Sequence, residues 1–129
     1  EIADLILDLY KSTGAKEIIS LESVGSPGKL GGKPNSYVYS TKTNTKLSKL
    51  SKTLENGIVM GITGILMGKP DLNLSCIFGE THTRLPDSKS AAGILEVLNS
   101  YLGLKIDLKP LKKSAEEFEN KLNDLTALN

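Results

Sequence analysis

Apolar positions along this chain recur at two spacings, and the switches between them mark its elements. Ile2, Leu5, Ile6 and Leu9 fall at helical spacing, with Asp4, Asp8 and Lys11 on the other side. Gly14 is placed to stop that helix. Residues 17–24 then read as a strand, and residues 36–41 as a second β-prone segment. Asn44 is placed to cap a lysine-rich helix whose apolar row is Leu47, Leu50 and Leu54. The apolar run 72–78 predicts a buried strand, and residues 79–86 a loop after it. Asp87 opens a helix carrying Ala91, Ile94, Leu95, Leu98 and Leu102, ended by Gly103. Asp107 caps a last amphipathic helix, which tolerates Pro110 because that residue lies in the first turn.

Helices alternating with short buried strands predict an α/β fold, a mostly parallel sheet flanked by helices, as one domain over residues 1–129. Only about three strands are evident, and the first residues already sit inside a helical pattern without an N-cap. Both features predict that an upstream portion or a partner completes the sheet.

Composition narrows the classes. Hydrophobic residues make up 39% and charged residues 24%, as in ordinary globular domains. The net charge of +1 supplies no global field for nucleic acid. A single cysteine, Cys76, rules out a disulfide within the chain and sits in the apolar run as a small hydrophobe. No apolar run reaches the ~18–20 residues of a membrane span, and no signal peptide is visible. The expectation is a cytoplasmic protein.

The most informative segment is residues 57–68, which carries no charge and holds Gly57, Gly61, Gly64 and Gly68. Each glycine costs a helix about 1 kcal/mol relative to alanine, so four require a compensating reason. One is close approach of another backbone. The other is a loop whose N–H groups and Thr63 hydroxyl face an anion. No phosphate-binding fingerprint is present, neither G-x-x-x-x-G-K-[ST] nor G-x-G-x-x-G, so packing is the preferred reading: Gly57 and Gly61 form turns, and Gly64 and Gly68 pack closely on a short buried helix. The ligand-binding alternative uses Gly61, Thr63 and Gly64 with Glu80 and Thr81, because sites of α/β proteins gather at the carboxyl ends of strands. There Glu80 would act as a base or cation ligand. His82 is the only histidine, and a metal site has no ligand cluster to support it. No catalytic residues, metal or cofactor are assigned.

Two further stretches read as surfaces. Between Glu22 and Glu55 lie six lysines and no carboxylate, a block suited first to a solvated face and second to an acidic protein partner. In the last helix, Leu111, Ala115, Phe118, Leu122 and Leu125 are spaced four, three, four and three, a narrow seam flanked by charge. It either packs on the chain's own sheet or forms an oligomer or partner interface. A scaffold assembled through this helix alone is a third reading.

Taken in order, residues 61–68 (GITGILMG), 78–81 (FGET), 85–87 (LPD), 91–98 (AAGILEVL) and 102–108 (LGLKIDL) resemble the C-terminal half of the proteasome assembly chaperone family of archaea and bacteria. Residues 14–19 (GAKEII) are similar to that family's helix-to-strand step. The resemblance implies a nucleoside-phosphorylase-like α/β domain and homo-oligomers. It further implies binding to proteasome subunits rather than catalysis. The family's N-terminal half is not matched. Nor is the hydrophobic-tyrosine-any tail that some archaeal members dock on the proteasome ring; residues 125–129 read LTALN.

Overall fold

A computed structural model describes residues 1–25, 32–82 and 85–128. Much of the glycine- and proline-rich loop expected over 25–35, including Lys29, lies outside the described residues, as do Thr83 and Arg84. The elements are α1 (Ile2–Thr13), β1 (Ile18–Gly25), β2 (Ser36–Ser40), α2 (Thr45–Leu50), β3 (Lys52–Thr53), α3 (Gly61–Met67), β4 (Leu74–Thr81), α4 (Ser88–Leu102) and α5 (Lys109–Ala127).

The sheet is ordered β1-β4-β2-β3. β1 runs parallel to β4, from Ile18 opposite Leu74 to Gly25 opposite Thr81. β2 is antiparallel to β4, with Ser36 opposite Gly79, and β3 is parallel to β2. Two of three pairings are thus parallel, as the alternating pattern predicts, and the antiparallel one makes the sheet mixed. β4 is buried on both faces, which explains its near-continuous apolar run. Side chains alternate across a strand, so Leu74, Cys76 and Phe78 enter one core with Ala3, Leu66 and Leu72. Ile77 enters the other, with Val38, Leu47 and Val97. α1 and α3 cover the first face; α2 and α4 cover the second.

Helix ends follow the sequence signals. Gly14 and Gly103 adopt left-handed φ of 65° and 66° as C-caps. Asn44 accepts from the Leu47 N–H and Asp87 from the Ser90 N–H. The Asp107 carboxylate accepts from the Lys109 N–H, although helical geometry begins at that residue.

Three expectations are corrected. The α2 helix stops at Leu50 and does not include Leu54. The Ser51 hydroxyl donates to the Ser36 carbonyl and the Leu54 N–H donates to the Val38 carbonyl, which draws Lys52–Thr53 into the sheet as a fourth strand. Second, residues 79–81 are strand rather than loop, because β1 pairs with all three and β2 with Gly79. Gly79 is needed there: a Cβ would strike the Ser90 hydroxyl and lie 2.9 Å from Ile94.

Third, the short helix expected to be buried, Gly61–Met67, is covered on one side only, and Gly68 caps it rather than lying within it. Gly61 has a φ of 69°, a turn position that disfavours any L side chain. Gly64 is where close approach is required. A Cβ there would lie 2.5 Å from the Val59 carbonyl oxygen, part of the chain's own preceding turn. Gly57 has no left-handed φ, and its nearest neighbour would be the flexible Leu54 side chain at 3.4 Å. α3 is buried on one side only: Thr63 and Leu66 face inward, while Ile62 and Ile65 are exposed.

These contacts rank the glycines. Gly64→Ala is expected to lower stability by about 1–3 kcal/mol, and Gly57→Ala by less than about 0.5 kcal/mol, in urea denaturation. Equal losses at both positions would contradict this packing. Cys76 gives a pH prediction. Burial, with a smaller contribution from the Glu22 charge, raises its thiol from 9.0 to about 12. The unfolded thiol ionises first, so this contribution is complete below pH 9 and is lost as pH rises from 9 toward 12. A native thiol that reacts with an aromatic disulfide reagent at pH 8 as fast as the urea-unfolded chain would refute it.

Candidate functional site

The carboxyl ends of the parallel pair β1 and β4 bring Val24 and Gly25 beside Glu80 and Thr81. Glu80 is the last buried residue of β4. One oxygen of its carboxylate accepts from the Asn35 N–H at 3.0 Å and from the Asn35 side-chain amide at 2.8 Å. His82 Nε2 stands 3.9 Å from that same oxygen, an ion pair only when the imidazole is protonated. Asn35 in turn accepts, through its carbonyl, the Glu80 N–H. The carboxylate therefore pins the start of β2 to the end of β4. It also lines an open cavity of about 640 Å³ with Tyr37, Lys52, Glu55 and Asn56.

Thr63 has other partners. Its hydroxyl donates to Glu22 at 3.2 Å and lies 2.7 Å from the Ser20 hydroxyl. A hydroxyl has one proton, so Ser20 is the donor in that second bond. Thr63 thus sits over Ser20 and Glu22 of β1, on the sheet face that also carries Glu80, but its hydroxyl is engaged by those two residues while Glu80 is engaged by Asn35. The Glu22 carboxylate beside Thr63 places negative charge where a phosphate would have to sit. The five residues named for a ligand thus divide into two groups. Glu80 and Thr81 end β4, and Gly61, Thr63 and Gly64 lock α3 onto β1.

The seam of α5 also divides. Ala115 is buried and Leu111 half-buried where the helix packs on α4, and two ion pairs, Lys112 with Glu96 at 2.9 Å and Lys89 with Glu119, fasten that crossing. Beyond it Phe118, Leu122 and Leu125 become progressively more exposed. Phe118 and Leu122 wall a cleft of about 150 Å³ against Pro34, His82 and Pro86.

One polar cluster carries no signal in local sequence. Tyr101 donates to both carboxylate oxygens of Glu17, at 2.8 and 2.9 Å, and accepts from the Asn44 amide at 2.7 Å. Ser75 donates to the same carboxylate, and Lys46 sits 5.5 Å over the Tyr101 ring. Burial pushes the Tyr101 phenol above its ordinary value; the Asn44 bond opposes this, and the Glu17 carboxylate adds to it. The cluster lies at the opposite end of β1 and β4 from Glu80, away from the carboxyl ends where α/β sites gather. Its chemistry is that of a clamp joining α4 to three other elements. Tyr101 and Glu17 lie 84 residues apart, beyond any local spacing rule.

Among the described residues, no group of three or more His, Cys, Asp or Glu is placed to hold a metal ion. No helix among them is long and apolar enough to cross a membrane.

The PAC2 family profile matches residues 1–126. An uncharacterized protein of Methanocaldococcus jannaschii, MJ0106, is 30% identical over 129 residues, covering 96% of this chain and 52% of its own. The crystal structure of Pyrococcus furiosus PbaA, described as an archaeal homolog of proteasome-assembly chaperone, superposes with a TM-score of 0.85 at 31% identity. That match covers 98% of this chain and 56% of PbaA. Pyrococcus furiosus PbaB, described as an archaeal proteasome activator, superposes with a TM-score of 0.80 at 26% identity, over 98% of this chain and 57% of its own. The chain spans about half the length of these relatives. The ordered motifs, the mixed sheet with its flanking helices and the profile match agree, and the chain belongs to the PAC2 family.

Proposed function

We propose that this chain is a non-enzymatic, oligomeric binding protein of the cytoplasm that engages proteasome subunits during assembly. The observation that carries the proposal is its likeness to Pyrococcus furiosus PbaA, an archaeal homolog of proteasome-assembly chaperone, across 98% of the chain. The surface is consistent with that role, because its conspicuous groups are apolar rows rather than a constellation of acid, base and nucleophile. We assign the contact to α5. Leu111 and Ala115 anchor the helix on α4, and Phe118, Leu122 and Leu125 present the remainder of the seam to a partner or to another copy.

The direct test is binding of the purified chain to purified archaeal proteasome subunits. A complex is expected by native mass spectrometry. Phe118→Asp with Leu125→Asp is expected to weaken it at least tenfold, in keeping with loss of apolar anchors at an interface. Failure to bind any proteasome subunit would refute the proposal.

The competing reading is a nucleotide or phosphate-ester enzyme built on Gly61, Thr63, Gly64, Glu80 and Thr81. The Glu22 carboxylate beside Thr63 and the engagement of the Glu80 carboxylate by Asn35 weigh against it. A metabolite screen by thermal shift is expected to give no stabilisation by nucleotides or sugar phosphates. A shift that disappears in Glu80→Ala would restore the enzyme reading.

A further inference from the structure

The carboxyl ends of β1 and β4 also frame a cavity on the sheet face opposite Glu80. Side chains alternate along a strand, so Ser23 and Thr81 share the face on which Gly79 meets Ser90 of α4. The two strand ends and the first turns of α4 enclose about 620 Å³, within the range of small-molecule sites. The lining is of two kinds. Leu85 and Ile94 supply apolar surface, while Ser23, Thr81 and Ser90 supply hydroxyls beside the Asp87 carboxylate.

Ser90 is the informative residue. It is 4% exposed, yet its hydroxyl has no hydrogen-bond partner among the described residues. A buried hydroxyl left so costs stability and requires an explanation. Its local outlet is missing: a helical serine can bond the carbonyl one turn earlier, but α4 begins only at Ser88. The hydroxyl lies against Gly79, where any side chain would strike it, so β4 leaves the space open at that point.

Charge selects the ligand. The amino end of a helix attracts negative charge, but at α4 that place is taken, since Asp87 accepts the Ser90 N–H at 2.9 Å. A second anion would be repelled by Asp87, and no lysine or arginine among the described residues lines the cavity to offset it. A cation would have to draw Asp87 away from the cap it forms. An uncharged polar group meets neither obstacle.

We propose that this cavity binds a small uncharged molecule that offers a carbonyl oxygen to the Ser90 hydroxyl and an apolar group to Leu85 and Ile94. A carbonyl oxygen accepts the proton that no described group accepts, and its dipole suits the amino end of α4 without adding net charge. The site goes beyond proteasome binding and is independent of it.

N-acetyl-leucinamide is a suitable test compound, because it carries amide carbonyls, an isobutyl group and no charge. Titrated into the isotope-labelled chain, it is expected to bind in the low millimolar range, as a ligand of about twelve heavy atoms permits. It should shift the amide resonances of Ser23, Thr81, Ser90 and Ile94 in NMR spectra. N-acetyl-leucine, which has a carboxylate, and leucinamide, which has an ammonium group, are expected to bind at least fivefold more weakly. Ser90→Ala should weaken binding of the neutral compound about fivefold, the worth of one hydrogen bond. In urea denaturation without ligand, that variant should be at least as stable as the parent, because no native bond is lost. An absence of shifts at these residues overturns the proposal, as does equal or tighter binding of either charged analogue. So does a Ser90→Ala variant that binds as well as the parent, or one that is less stable without ligand, which would make the hydroxyl part of the fold.

Discussion

The structure depends on burying β4 from both sides at once. Phe78, Leu74 and Cys76 on one face and Ile77 on the other are sealed from solvent, and α1, α3, α2 and α4 each gain apolar contacts from one of those faces. A Phe78→Ala change would remove a contribution of about 3–5 kcal/mol, a large fraction of the stability of a domain this size. Hydrogen bonds at both ends of the strand reinforce the arrangement. Glu17, Tyr101 and Ser75 hold the amino end, and Glu80 with Asn35 holds the carboxyl end.

Much of this was legible along the chain. The stretch 72–78 is rich in apolar residues and ends in the unbroken Cys76-Ile77-Phe78, a pattern that suits a strand covered on both faces. Gly14, Gly103, Asn44 and Asp87 stood at helix ends where their backbone freedom or side-chain oxygens are needed. What escaped reading depended on partners far away in sequence. Lys52 and Thr53 look helical after Leu50 and become strand only because β2 offers an edge 15 residues upstream, where Ser51 bonds Ser36. Residues 79–81 look like a glycine loop until Ser90 and Ile94 are seen lying over Gly79. The same holds for the candidate site. Thr63 and Glu80 are both polar residues in suggestive loops, and nothing local reveals that one answers to Glu22 and the other to Asn35.

The glycine segment shows how a functional reading changes once geometry is known. A segment with four glycines invites either a ligand or another backbone. The backbone that approaches is that of Val59, five residues earlier, so Gly64 closes a tight turn onto its own helix. With Gly64 engaged locally, exposed apolar side chains stand on the distal seam of α5, on the outer face of α1 and at Ile58 and Met60 of the segment itself. They lie on different elements. The outer face of α1 lies on the sheet face opposite α4, whereas the α5 seam continues beyond its buried contact with α4 and suits contact with another molecule.

The central claim is that this PAC2 chain acts by presenting apolar helix surfaces rather than by chemistry at the carboxyl end of its sheet. A hydrogen-exchange footprint of the chain, with and without purified archaeal proteasome subunits, tests it most directly. The account predicts slowed exchange in α5 around Phe118 to Leu125 and no change at Tyr37 or Glu80. Protection centred on Tyr37, Lys52 and Glu80 with α5 unaffected would contradict it.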